Sequence, residues 1–378
     1  MERHLHHISF DIPFPANYGG VIEVYYKLRA LAEAGVRIHL HCFEYGREPS
    51  EELANLCASV QYYPRKQRFQ SLPVRYPHIV KSRRAKTLLK RLIQEPHPIL
   101  FEGLHTTYYL SHPELENRRK VVRLHNVEWE YYYALAQWEP GYMNRQYYLA
   151  ESRQLQAWED VLPFADHLLP ISPKDTSYYA ERFKNVDHLP PFHGNRSVTS
   201  RPGQGDYCLY HAKLSVPENH EAAMFLVEQV FDDFPVPMII AGGGAKPELI
   251  EAISENDQIL LRPDPGEAEM EDLIRNAHIL VLPTFQATGI KLKLLNSLFN
   301  GRHVMVNPPM VLQTPLAKYC HIADDAADFQ KQILQLFDRA FSEGEIQQRQ
   351  QLLAQEYDNQ QNVEKLLEVL YPKDLMAR

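Results

Sequence analysis

The sequence predicts two doubly wound α/β domains in series, each a parallel sheet covered by helices on both faces. Short apolar, β-branched runs alternate with helical patterns along almost the whole chain, which is how parallel strands joined by helical crossovers read. At 378 residues the chain exceeds the size at which a single core stops growing, and 44% apolar residues can fill two. Between the two sets of runs lies a stretch rich in Pro, Gly and polar residues without periodicity, from Pro190 to Asp206, which reads as an interdomain linker.

In chain order, an N-terminal strand leads into the turn Pro13-Phe14-Pro15-Ala16-Asn17-Tyr18-Gly19-Gly20 and a helix over about 21–34, stopped by Gly35. Further strands are expected at 36–42, 99–102, 121–125 and 167–171, then at 208–210, 238–241, 259–261, 279–282 and 303–306. The strict alternation of 36–42 places it nearer a sheet edge than the continuous runs. From about Phe329 onward the pattern is helical to the end. The domains are accordingly 1–195, 206–354 and a terminal helix, 355–378. Ligands of open α/β sheets bind where loops leave the carboxyl ends of strands, so two such domains point their binding edges at a shared cleft.

Composition narrows the function. No apolar run is long enough to span a bilayer, and Met1-Glu2-Arg3-His4 opens no signal-peptide pattern, so the expected location is cytoplasmic. Cys42, Cys57, Cys208 and Cys320 are widely spaced and read as reduced, mostly buried thiols. A formal charge of −8 argues against general nucleic-acid binding. The segment from Arg65 to Arg91 nevertheless carries ten Lys or Arg and no Asp or Glu, leaving the remainder at −18. Its interleaved Phe69, Leu72, Val74, Tyr76 and Ile79 suit an anionic lipid-linked acceptor, or peripheral contact with the inner face of an anionic membrane.

Several loops that follow strands could carry chemistry. Thr288-Gly289-Ile290-Lys291-Leu292-Lys293 follows the run 279–282 and opens a helix that stops at Gly301. Lys291 and Lys293 in a first helical turn oppose the macrodipole, a conflict that a diphosphate held by the amides of Gly289 and Ile290 resolves. Gly19 and Gly20 allow close backbone approach to a ligand, with Tyr18 beside them. His125 stands at the end of a strand, where catalytic groups of α/β folds belong, and His105 follows another. Lys213 follows the first strand of the second half. Gly242-Gly243-Gly244 closes a strand without completing G-x-G-x-x-G, which disfavours a nicotinamide enzyme. There is neither an Asp-x-Asp pair nor a His/Cys cluster of zinc spacing, so no metal or other cofactor is expected.

Taken in order, these segments resemble the GT-B glycosyltransferases, in particular the retaining family 4 group, from Pro13 to about Pro309. The resemblance implies two Rossmann-like domains facing a central cleft, with the terminal helix crossing back to the first. It implies transfer of a hexose-type sugar from a nucleotide-diphosphate sugar to a glycan or lipid-linked acceptor, with retention, as in polysaccharide biosynthesis. In that scheme Gly19, Gly20, Lys213, Gly289, Ile290 and Lys291 hold the donor diphosphate. Thr288, Asn296 and Pro263 meet the sugar or nucleoside, His125 contacts the sugar catalytically, and His105 and Tyr18 face the acceptor. The family's two glutamates fall at Thr288 and Asn296. Their replacement leaves open a non-catalytic partner subunit of the same fold; a nucleotide-sugar epimerase is the other alternative, needing an acid and a base around C2 of the sugar.

Overall fold

In the computed structural model β1 (Arg3–Ser9) is buried at its last five positions, as expected of a strand covered on both faces. Residues 2–66, 76–286, 292–312 and 314–372 are described. After β1 come α1 (Gly19–Glu33), β2 (Val36–Glu44), α2 (Glu51–Leu56), β3 (Ser59–Pro64), α3 (His78–Lys81) and α4 (Lys86–Gln94). The unit continues with β4 (Ile99–Glu102), β5 (Lys120–Leu124), α5 (Glu128–Trp138), α6 (Tyr142–Trp158), β6 (His167–Pro170) and α7 (Pro173–Ala180). Its six strands are all parallel, in the order β3-β2-β1-β4-β5-β6. This order reverses between β1 and β4, the switch point where doubly wound sheets bind ligands.

The second unit holds β7 (Cys208–His211), α8 (Pro217–Phe225), β8 (Met238–Gly242), α9 (Pro247–Ser254), β9 (Ile259–Pro263) and α10 (Glu267–Asn276). It goes on through β10 (Ile279–Leu282), α11 (Leu292–Asn300), β11 (His303–Val306), β12 (His321–Ile322), α12 (Ala326–Phe337) and α13 (Glu343–Glu356). Its strand order, β12-β11-β10-β7-β8-β9, repeats the first pattern with a switch point between β7 and β10. A last helix, α14 (Asn359–Leu370), belongs to the first unit, which comprises residues up to Gly194 and from Tyr357 onward.

Local sequence explains these elements. Val21, Val24, Leu28 and Leu31 form the apolar stripe of α1, each burial contributing about 1.5 to 3 kcal/mol. Gly35 follows the helix at φ +79°, a left-handed turn that Gly adopts without strain. On α14, Val363, Leu366 and Leu370 join the cluster containing Leu28 and Leu31. Arg119 Nε donates to Val369 O at 2.9 Å, and Asp358 caps the helix by accepting from the amides of Gln360 and Gln361. Half of the expected linker is packed rather than loose. Phe192 is fully buried, and His193 exchanges hydrogen bonds with Asn359 through its backbone.

Several expectations shift. The helix predicted from residue 21 begins at Gly19, and the strand predicted over 121–125 ends at Leu124, with His125 just beyond it. The strand at 36–42 is one place in from the edge, because the edge is β3, which no sequence signal announced. The helical tail is three helices. Among the described residues no helix is long and apolar enough to cross a membrane. All four cysteines are free, Cys320 being only partly buried.

Candidate functional site

At the switch point of the first sheet the interior is charged. Glu23 and Lys27 sit one helical turn apart on the buried face of α1, Glu102 ends β4 and Arg123 lies within β5, all without exposure. Lys27 Nζ is 2.7 Å from Glu23 Oε2 and 2.8 Å from Glu102 Oε1. Arg123 donates to Glu23 Oε1 through Nε at 3.0 Å and lies 2.9 Å from it through Nη2. Its Nη1 also donates to Leu189 O, and Nη2 to Pro190 O. His7 Nε2 lies 2.7 Å from Glu102 Oε1.

Burial pushes both carboxyls up, but for Glu23 the neighbouring Lys27 and Arg123 outweigh it. For Glu102, Lys27 and the bonds from His125 and His7 do so, and both carboxyls end below the usual range. Two carboxylates and two cations therefore balance.

His125 is the member of this cluster nearest the surface. Its Nε2 is 2.8 Å from Glu102 Oε2, and since an ionised carboxylate only accepts, Nε2 carries the proton and Nδ1 is left for a ligand. Glu23, Glu102 and His125 lie within metal-ligand reach of one another, but Lys27 Nζ is already bonded to both carboxylates. Phe10, in the loop after β1, gathers the rest. Its ring centre is 5.4 Å from those of both His105 and His125, and a Cβ on Gly20 would come within 2.9 Å of it. Buried Arg83 donates from Nε to Phe10 O at 2.9 Å, so this member of the basic segment faces inward.

Tyr18 donates to Asp11 Oδ2 at 2.7 Å, and burial followed by that carboxylate raises its phenol. His105 lies in a two-turn 3-10 segment, Leu104–Tyr109, after Gly103, whose φ of +66° only Gly takes easily. Its Nδ1 is 3.7 Å from Glu128 Oε1, and burial holds His105 well below its ordinary value. Burial raises the Glu128 carboxyl to about 8.

In the second unit the corresponding switch point lies at the carboxyl ends of β7 and β10. Lys213, exposed after β7, is held by its backbone: its carbonyl accepts from Val216 N and from Asn219 Nδ2. Asn219 Oδ1 in turn accepts from Lys293 Nζ at 3.1 Å, and that ammonium lies 4.9 Å from the centre of the Tyr210 ring. The expected conflict at the start of α11 is thus eased from within for Lys293. His211 Nε2 and Ser297 Oγ are 3.0 Å apart, a buried link between β7 and α11. Asn296 Oδ1 accepts from Asn300 Nδ2 at 2.9 Å. Pro263 ends the edge strand β9 and is exposed. Thr288, Gly289, Ile290 and Lys291 lie outside the described residues.

Gly242 is required by space as well as by conformation. It has φ +150°, and a Cβ there would stand 1.7 Å from Ala212 O. The neighbouring Gly243 O accepts from Leu214 N at 2.8 Å, so the turn after β8 supports the one carrying Lys213. Gly242→Ala is expected to destabilise the second unit by about 1 to 3 kcal/mol, seen as faster amide hydrogen exchange in β7 and β8 while β1 and β4 keep their protection.

Within the first unit the fold brings His125, His105 and Gly20 around one aromatic ring, with Gly19 and Tyr18 just before Gly20 at the start of α1. Within the second it links Lys213 with Lys293 through Asn219, and leaves Pro263 at the edge. Sequence reasoning missed Glu23, Lys27, Glu102, Arg123, His7 and Phe10. The available signals were the charged pair at i and i+4 inside the apolar stripe of α1, and a lone Arg in an apolar strand.

Two units of this strand order match whole solved proteins. Sucrose-phosphate synthase from Thermosynechococcus elongatus superposes with a TM-score of 0.68 over 100% of both chains at 15% identity. Anabaena HepE, solved with UDP and glucose, gives 0.65 over 97% of this chain and 99% of its own at 10% identity. The chain has the GT-B fold. WaaG, a glycosyltransferase involved in lipopolysaccharide biosynthesis, shares this GT-B architecture at 0.63, covering 97% of this chain and all of WaaG at 13% identity. In sequence, the chain is 25% identical over 316 residues to an uncharacterized 44.6 kDa protein in the cps region of Klebsiella pneumoniae, covering 79% of this chain and 81% of that one. No protein-family model matches the chain.

Proposed function

We propose that this GT-B protein is a metal-independent retaining glycosyltransferase, moving a hexose-type sugar from a nucleotide-diphosphate sugar to a glycan or lipid-linked acceptor. The observation that carries the reading is His125, fixed by Glu102 at the carboxyl edge of the first sheet with Nδ1 left for a ligand. In this scheme His125 meets the transferring sugar, and Gly19 and Gly20 let backbone approach the diphosphate. Lys213 and Lys291, with the amides of Gly289 and Ile290, stabilise charge on the departing phosphates. Thr288, Asn296 and Pro263 face the sugar and nucleoside.

The acceptor side is assigned to Tyr18 and His105. A separate cleft of about 1190 Å³, lined by Arg84, Lys86 and Lys90 together with Glu114, Asp160, Tyr108 and Trp158, carries a small excess of positive charge, which supports an anionic, lipid-linked acceptor or peripheral contact with a membrane's inner face. A second reading, a non-catalytic partner subunit, is favoured by Asn296, which stands where the resembled family has a glutamate and bonds Asn300 instead.

A thermal-shift titration with UDP, GDP, ADP, CMP and their common sugars separates the two. One nucleotide diphosphate at 100 times its dissociation constant is expected to add about 2.7 kcal/mol of stability, an effect reduced in Lys213→Ala and Lys291→Ala. Release of that nucleotide with sugar transfer supports the enzyme, and His125→Ala is expected to slow it about 10²-fold with nucleotide binding retained. Binding without turnover on any acceptor points to the partner subunit. Stabilisation by no nucleotide overturns both assignments of a donor site.

A further inference from the structure

At the opposite, amino-terminal edge of the first sheet, alternation along two paired strands places His4 and His6 of β1 on the same face as His39 and His41 of β2. His97, in the turn before β4, adds a fifth imidazole. The ring centres of His4, His39 and His97 are 5.3, 4.7 and 5.2 Å apart, with planes within 8° to 19° of parallel. A face-to-face column would separate its outer pair by twice the spacing of neighbours. Three equal spacings mean instead that the rings form a triangle.

We propose that His4, His39 and His97 form a binding site for a divalent transition-metal ion of the Zn²⁺ type. Three imidazoles sharing one ion at about 2.0 to 2.1 Å have ring centres roughly 5 to 5.5 Å apart, close to the spacing seen. One nitrogen from each ring lies within 4.8 Å of the other two. His4 Nδ1 and His39 Nε2 face each other at 3.0 Å, near the separation of two nitrogens on one ion.

Two of the three outward nitrogens, those of His39 and His4, already have the kind of partner that orients metal-bound histidines. His39 Nδ1 is 3.0 Å from Ser59 Oγ, and His4 Nε2 is 3.5 Å from Glu2 Oε2. Glu95 adds negative charge, its Oε2 lying 3.8 Å from His39 Nδ1. Imidazole donors select Zn²⁺, Ni²⁺ or Cu²⁺ over Mg²⁺ or Ca²⁺. The site lies at the other end of the strands from Glu102 and His125. It ties β1, β2 and the β4 turn together, and it is independent of any transfer chemistry.

The test uses the full-length protein, stripped with chelator and titrated calorimetrically with Zn²⁺ alone. Native protein is expected to bind one ion per chain and gain thermal stability, whereas His97→Ala, in a turn and checked for native circular dichroism, loses at least tenfold in affinity. His112→Ala keeps the affinity of the native protein. Co²⁺ is expected to give visible ligand-field absorption in the native protein that His97→Ala and His39→Ala lack. Absence of stoichiometric binding by the native protein, or binding and Co²⁺ spectrum unchanged in His97→Ala, overturns the site.

Discussion

Arg123→Ala is expected to destabilise the first unit by about 3 to 5 kcal/mol, the range for removing one partner of a buried ion pair. The truncation leaves Glu23 and Glu102 to share Lys27, and strips donors from the carbonyls of Leu189 and Pro190, both paired with Arg123 at present. The protein supplies a convenient reporter. Its three tryptophans, Trp129, Trp138 and Trp158, all belong to the first unit, so fluorescence during urea unfolding follows that unit alone.

The sign with pH is fixed by the carboxyls. Both Glu23 and Glu102 titrate below their ordinary value in the fold, so the cluster's contribution is present above the unfolded value and is lost as pH falls through the folded ones. The deficit of Arg123→Ala should therefore be full at pH 7 and shrink on acidification. A deficit below 1 kcal/mol at pH 7 means that the charged core is not what holds the α1, β4 and β5 contact.

Why this cluster was hidden in the sequence is a matter of what burial does to signals. The runs that became β4, β10 and β11 are apolar at every or nearly every position, so periodicity and length announce them. β3, with Ser59, Gln61 and two tyrosines only partly or singly buried, and the two-residue β12 carry no such pattern, because edge strands keep polar side chains toward water. Loop glycines and the histidine after β5 were legible as site candidates because position alone marks the carboxyl edge. Glu23, Lys27 and Arg123 belong to residue types that ordinarily face solvent. A lone charge on an apolar face is normally unfavourable, and only pairing across α1, β4 and β5, which composition cannot encode, makes it stable.

Glu128 supplies the complementary prediction, in which a carboxyl is held neutral. As the first residue of α5 it sits where the helix dipole favours an anion, yet burial dominates and raises it to about 8. Its Oε1 has no hydrogen-bond partner among the described residues. A folded value above the unfolded one means that Glu128 contributes fully below about 4.5 and that this stability is lost as pH rises through about 8. The loss has an upper limit of about 5 kcal/mol. Glu128→Gln keeps the shape and removes the titration. The tryptophan-reported stability of the native protein is expected to fall between pH 5 and 9, while that of Glu128→Gln stays level and becomes the higher of the two above pH 8. Parallel curves would mean that Glu128 is ionised in the fold. A neutral amide would thus serve packing better than the acid does. Glu128 Oε1 lies 3.7 Å from His105 Nδ1, and burial holds that imidazole well below its ordinary value, so neither group gains a charged partner from the other. Glu128→Gln should therefore be the more stable protein at high pH, with no advantage below about pH 4.5, where the native carboxyl is neutral in both the folded and the unfolded chain.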